Sequence, residues 1–360
     1  MTGTVNKYPP FWDMPGGYLL KTLVTSLALA LCLAGAGAAM AQAPAAPPTV
    51  ISGAGGSIQS PLFKAWMTDY QAETGRVMTY QGQNSAFGIS QIEAKAADFG
   101  VTAMPLSDAD LQAKGLSQFP FLISGTVLVT NVPGLESGKL RLDGPLLAAI
   151  FMGEVTKWND PKIKAVNPGV DLPDWPITVA HRTDPASMTL LLTSYLSAVS
   201  PAWKAGPGAG ETVTWPIGLG GKGNAGISEI MGGTMGTLGY VEYAYALDHK
   251  LDLVSLKNHD GLFVAPSPGG FAAVAAGANW SASKGFGVPT LDQPGAASWP
   301  LVLVSYGLLR DDAPADRRRL VTDFFDWGYA KGDARVSALG YAPVTAPVKA
   351  LVRKLWSTAP

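Results

Sequence analysis

The stretch AHRTDPASMTLLLTSYL, residues 180–196, decides how this chain is read. A short polar loop runs directly into a periodic apolar segment. Met188, Leu191, Leu192, Tyr195, Leu196 and Val199 recur at intervals of three and four, the spacing of one helical face. Asp184 stands where an N-cap would, and Pro185 suits the first helical position, so the helix is expected to open there. A helix start offers unpaired N–H groups and the positive end of the backbone dipole, and both attract anions. Arg182 adds a permanently charged fork that matches an oxyanion's geometry. The plainer reading is a capped surface helix with an incidental arginine. The rest of the chain has to weigh the two.

Upstream, Val50 and Ile51 read as a strand, residues 53–57 (GAGGS) as a glycine loop, and the chain from Pro61 as a helix that Gly75 stops. Phe63, Trp66 and Tyr70 give that helix its apolar face. Residues 77–80 form the next strand, with Ser85 in the loop beyond it. Ile89, Ile92 and Ala96 suggest another helix, and residues 99–102 another strand. Strands alternating with helices predict a parallel α/β layer. Residues 146–158 and 184–199 read as helices of a second α/β unit, and residues 239–243 as a strand followed by a turn of helix. Residues 317–329 and 344–356 read as closing helices. Two long apolar runs, 121–131 and 299–309, are placed to cross between two lobes. The expected division is residues 50–122 with 296–360 in the first lobe and 123–295 in the second. A ligand would then lie between the lobes, at the carboxyl ends of the parallel strands.

The first 41 residues read as an export signal. Lys21 precedes an apolar run over residues 23–33, and Ala39-Met40-Ala41 supplies small residues for cleavage before Gln42. The polar stretch ahead of Lys21 is long for a signal, which points to Met14 as an alternative start. Residues 42–49 form an Ala/Pro linker. The only cysteine, Cys32, follows a bulky Leu31 that disfavours lipoprotein cleavage, so the exported chain has no thiol for disulfides, catalysis or metal ligation. Without Lys7, Lys21 and Asp13, 24 basic and 26 acidic side chains remain, a net charge of −2. So balanced a surface argues against a nucleic-acid partner and against a polybasic membrane tether.

Several motifs carry less than they promise. Residues 218–223 (GLGGKG) match the dinucleotide pattern G-x-G-x-x-G, with Glu242 at the distance of a ribose-binding acid. Pro216 spoils the preceding strand, and the motif sits deep in the chain. A loop into a helix beginning near Asn224 is the better reading. His181, His249 and His259 are scattered without metal-ligand spacing, and His181 reads as a strand-end residue packing locally. No serine lies in a G-x-S-x-G elbow. The inventory is hydroxyls, loop N–H groups and one arginine, which bind an oxyanion without reacting with it. No cofactor or metal is expected.

The segments ISGAGGSIQSPLFKAWMTDYQAETG, TYQGQNSAFGISQIEAKAADFG, SQFPFLISGTVLVTNVPGL, WNDPKIKAVNPG, TSYL, TVTWPIGLGGKGNAGI and GYVEYAYA follow one another between residues 51 and 246. Together they resemble the periplasmic phosphate-binding proteins of bacterial phosphate ABC transporters. The resemblance implies a two-lobed periplasmic-binding-protein fold of type 2 and no enzymatic activity. It further implies a monomer that captures phosphate or a related oxyanion in the periplasm for an ABC permease. It places the anion on Ser57, Ile58, Ser85, Arg182, Asp184 and Ser187, with the hydroxyl of Ser57 and the N–H groups of Ser57 and Ile58 offered by the first glycine loop. Three positions depart from the family. Ala103 stands where the family has an aspartate, and Ala186 and Met188 stand where it has hydroxyls. The aspartate accepts the proton that phosphate carries and repels unprotonated sulfate. With Ala103, weak discrimination between the two is expected. The departures also leave open an accessory or scaffold role in another envelope complex. A secreted phosphatase is a third and weaker reading, because no nucleophile or metal constellation supports it.

Overall fold

The computed structural model of the protein describes residues 50–358. The expected export segment 1–41, with Cys32, and the expected linker 42–49 lie outside the described residues. The chain opens with β1 (Val50–Gly56), α1 (Ser60–Thr74), β2 (Val77–Gln83), α2 (Ser85–Glu93) and β3 (Phe99–Thr102). Helix α3 (Asp108–Lys114) leads into the long strand β4 (Leu116–Thr130). Next come β5 (Arg141–Leu142), α4 (Gly144–Phe151), α5 (Pro161–Val166), β6 (Thr178–Arg182), α6 (Ser187–Val199) and α7 (Pro201–Ala205). They are followed by β7 (Leu219–Gly221), α8 (Gly223–Gly233), β8 (Thr237–Glu242) and α9 (Tyr243–Asp248). Three short strands, β9 (Asp252–Leu253), β10 (Ser255–Lys257) and β11 (Phe263–Val264), and helix α10 (Pro268–Gly277) precede β12 (Val302–Arg310). Helices α11 (Ala315–Lys331), α12 (Asp333–Ala338) and α13 (Ala346–Thr358) close the chain.

The strands join in one sheet of order β2-β1-β3-β12-β4-β8-β6-β7, with β9 also on β4. Pairing is parallel among β2, β1 and β3 and again among β8, β6 and β7. It is antiparallel where β12 and β4 intervene. The predicted α/β layer and both long apolar strands are therefore present. β4 serves two neighbours in succession: Leu116 to Gly125 pair with β12, and Thr126 to Thr130 pair with β8. Pro120, which has no N–H to give a ladder, sits where the β4–β12 register slips between Ser305 and Tyr306, and Tyr329 donates its hydroxyl to the Pro120 carbonyl.

Apolar burial explains why distant segments meet. Phe63 and Trp66 of α1 pack with Phe99, Phe121, Phe324 and Phe325, so α1 and α11 share one aromatic core across the sheet end. Arg317 of α11 donates to both oxygens of Asp98 at 2.9 and 2.5 Å, and Asp98 also accepts from the Ser52 N–H. Burial pushes the Asp98 carboxyl up, but these hydrogen bonds outweigh it and hold its pKa below the ordinary carboxylate range.

Four local expectations need correction. Residues 53–56 are strand, not loop, because β1 pairs with β2 as far as Gly56 and with β3 at Gly53 and Ala54. Glycine is needed there for approach: a Cβ on Gly55 would fall 2.4 Å from the Val101 carbonyl oxygen. The helix expected over 146–158 spans Gly144–Phe151, capped by the Asp143 side chain on the Leu146 N–H, and Trp158 lies beyond it, donating its indole N–H to the Gly236 carbonyl. Ser85 is the first residue of α2 rather than a loop residue, because Asn84 caps that helix through the Phe87 N–H. Asp184 does not begin α6, which starts at Ser187 behind Ala186.

Candidate functional site

Five chain turns at the carboxyl ends of parallel strands meet around one small cavity of about 60 Å³. Its walls are Gly56, Ser57 and Ile58 after β1, Gln83, Asn84 and Ser85 after β2, and Ala103 after β3. Facing them are Arg182 after β6, Pro185 to Met188 entering α6, Glu211, and Gly223 with Asn224 at the start of α8. Of the six residues expected at the site, Ser57, Ile58, Ser85, Arg182 and Ser187 line this cavity, and Asp184 stands behind Arg182.

The first loop is built to present donors. Tyr80 donates its hydroxyl to the Gly56 carbonyl at 2.7 Å, and Tyr341 donates to the Ile58 carbonyl at 2.8 Å. Two carbonyls that would repel an anion are thereby occupied. The Ser57 N–H is given to the Gln83 carbonyl at 3.2 Å. The expectation that both loop N–H groups serve a ligand is thus corrected: Ser57 contributes its hydroxyl, and the available N–H is that of Ile58.

Ser85 is oriented by a backbone contact. Its hydroxyl oxygen accepts from the Ala103 N–H at 3.1 Å, which leaves its own hydrogen to donate. Ser187 Oγ lies 3.3 Å away from Ser85 Oγ. Helix α2 can come this close because of Gly88, where a Cβ would stand 2.4 Å from the Val101 carbonyl oxygen and 2.7 Å from Gly55 Cα. The start of α6 carries no side-chain cap, so the N–H groups of its first turn have no helical acceptor.

Arg182 supplies the positive charge. Its side chain is 8% exposed and is gripped in a fork by Asp184, Nε to Oδ1 at 2.8 Å and Nη2 to Oδ2 at 2.5 Å. Asp184 Oδ1 also accepts from the Gly223 N–H at 2.9 Å, so Asp184 serves the start of α8 rather than of α6. This is the physical reason for the correction above: the guanidinium and α8 use both carboxylate oxygens. Burial pushes the Asp184 carboxyl up, yet the Arg182 and Gly223 hydrogen bonds prevail and keep its pKa below the usual range. The glycines of residues 218–223 serve the same arrangement. β7 crosses α8 so closely that a Cβ on Gly221 would meet the Gly226 carbonyl carbon at 2.5 Å. The dinucleotide reading is not needed to explain them.

Several contributors escaped the sequence reading. Tyr240, fully buried, accepts the Arg182 N–H at 3.2 Å and lies 2.7 Å from Thr189 Oγ1, tying β6 to the first turn of α6. Trp215 stacks on His181 with ring centres 4.9 Å apart, and burial lowers the His181 pKa. Asn224 faces the cavity with its Oδ1 buried and without a partner. A second cavity of about 450 Å³ adjoins the first through Ser57, Ile58 and Asn224. Its wall includes Glu242, 2% exposed, whose Oε2 accepts the Tyr245 N–H at 3.1 Å while Oε1 has no partner. Burial pushes the Glu242 carboxyl up to about 7. GYVEYAYA, which holds both Tyr240 and Glu242, was the available signal. Periodicity alone could not say which of its side chains point inward. Among the described residues, no group of three or more His, Cys, Asp or Glu side chains could hold a metal.

Comparison with known proteins bears directly on this geometry. A family model described as the PBP superfamily domain matches residues 42–331. The phosphate-binding protein PstS of Xylella fastidiosa (strain 9a5c) is 42% identical over 309 residues, covering 86% of this chain and 85% of that protein. The chain belongs to the phosphate-binding protein family of ABC transporters. PstS of Haemophilus influenzae is 40% identical over 317 residues, covering 88% of this chain and 95% of the relative. The crystal structure of a phosphate-binding protein from Stenotrophomonas maltophilia shares the fold at 17% identity, with a TM-score of 0.63 over 85% of this chain and 93% of that one. As a member of this family the chain is a two-lobed α/β binding protein and not an enzyme. Ala103, Ala186 and Met188 all line the small cavity.

Proposed function

We propose that this protein captures phosphate, or a closely related oxyanion, in the periplasm and delivers it as a monomer to an ABC permease. The observation that carries the reading is the convergence of Arg182, the Ser57, Ser85 and Ser187 hydroxyls, the Ile58 N–H and the uncapped start of α6 on one cavity. Arg182 supplies most of the attraction, and the other groups count and orient the oxygens. The cavity is small, which suits a tetrahedral oxyanion better than a nucleotide or sugar phosphate.

Capture is proposed to involve closure of residues 50–122 with 296–360 against residues 123–295. Two features support that division: β4 changes neighbour between Gly125 and Thr126, and α11 packs on α1. Isothermal titration of residues 42–360 with phosphate tests the reading. Arg182→Ala is expected to weaken binding at least tenfold, the loss of roughly 1.4 kcal/mol or more. Unchanged affinity in that variant would place the ligand elsewhere.

A further inference from the structure

The groups described at the cavity are mostly donors, and the unpartnered Asn224 Oδ1 is a neutral acceptor that repels no ionised anion, so neither excludes sulfate. Phosphate and sulfate are both tetrahedral and of similar size, and they differ near neutral pH in the proton that phosphate keeps. A site reads that proton and turns sulfate away only with a charged acceptor. Asp184 is spent, since Arg182 and the Gly223 N–H occupy its oxygens. Position 103 holds an alanine. Among the residues lining the cavity, one carboxylate remains, that of Glu211.

Glu211 is held at the site by its backbone. Its carbonyl accepts the Ala186 N–H at 3.2 Å, directly beside the start of α6. The preceding residue is held as well: Gly210 donates its N–H to Thr193 Oγ1 at 3.0 Å, and its carbonyl oxygen lies 3.1 Å from the same atom. Thr193 is a fully buried residue of α6. The Glu211 carboxylate thus sits on a tethered loop, and among the described residues no donor occupies it.

We propose that Glu211 is the specificity-determining residue of this site, accepting the proton of a bound hydrogen phosphate and repelling a fully ionised oxyanion such as sulfate. The inference rests on the phosphate reading given above. A carboxylate facing a protonated phosphate oxygen gains a charge-assisted hydrogen bond, whereas facing sulfate it meets a like charge with nothing to accept. The acid enters from the loop ahead of β7 instead of from the end of β3. The weak discrimination that Ala103 alone predicts is then replaced by a real preference for phosphate. Because Glu211 is only half-buried, solvent screening limits that preference to between about tenfold and a hundredfold.

The test is titration of residues 42–360 and of Glu211→Gln with phosphate and with sulfate at pH 7, after thermal unfolding confirms that both proteins are folded. Glu211→Ser takes its place if the glutamine variant is unfolded. The expected result is a phosphate-to-sulfate affinity ratio above about tenfold that collapses toward one in the variant, phosphate weakening and sulfate strengthening. Equal weakening of both anions would show that Glu211 merely holds the loop and would overturn the proposal. An unchanged ratio would overturn it too, while leaving phosphate capture by Arg182 standing. If the unmodified protein binds neither anion, the phosphate reading itself falls and the proposal with it.

Discussion

Glu242 makes the stability of this protein depend on pH in a direction opposite to that of most paired carboxylates. It is 2% exposed, one of its oxygens has no partner, and burial raises its pKa from 4.5 to about 7. The folded chain therefore holds a proton that the unfolded chain releases between about pH 4.5 and 7. Unfolding then becomes easier as pH rises through that window. At roughly 1.4 kcal/mol per pH step, ionising Glu242 in the fold costs about 3 kcal/mol, most of it felt between pH 5 and 8. Asp98 and Asp184, whose pKa values are lowered, act in the opposite sense but below pH 4, outside the window. Glu242→Gln keeps the acceptor for the Tyr245 N–H and cannot ionise. Denaturant unfolding at pH 5 and pH 8 should show the variant gaining about 2–3 kcal/mol on the parent at the higher pH. Equal pH dependence in both proteins would mean that water reaches Glu242 through the adjoining cavity and hydrates its charge.

Two further perturbations act on the frame of the site. Gly88→Ala pushes a methyl into the Val101 carbonyl and Gly55, so α2 must move. A loss of about 1–3 kcal/mol of stability is expected by thermal denaturation, together with weaker phosphate binding as Ser85 shifts; full affinity in the variant would contradict the positional role given to Ser85. Asp184→Asn leaves the nearly buried Arg182 charge without its partner and weakens the cap on Gly223. With Asp184 itself partly exposed, the cost in the free protein should be about 2 kcal/mol, and added phosphate should recover part of it by pairing Arg182. An unfolding midpoint equal to the parent's would contradict this.

The fold was legible because burial writes itself into periodicity and into long apolar runs. The strands at 77–80, 99–102 and 239–243, the two long runs, and the α1, α6, α11 and α13 helices all rest on such patterns. What was not legible depended on approach distances and on which partner a group finds. Residues 53–56 read as a loop because glycine favours turns, yet close packing against Val101 is what requires glycine there. Asp184 looked like the cap of its own helix, but its carboxylate accepts from the N–H of Gly223, 39 residues later. Arg182 stood out in the local sequence, whereas Ser187 entered only through the family resemblance. Glu211 could not be placed, because its loop reaches the cavity only through the Ala186 and Thr193 contacts.

The central claim is that phosphate binds where Arg182, Ser57, Ser85 and the start of α6 converge. A crystal structure of residues 42–360 grown with phosphate tests it most directly. A tetrahedral anion within hydrogen-bond distance of the Arg182 guanidinium, the Ser57 and Ser85 hydroxyls and the Ile58 N–H is the predicted result. A phosphate bound elsewhere, or an empty cavity at saturating phosphate, would contradict the account.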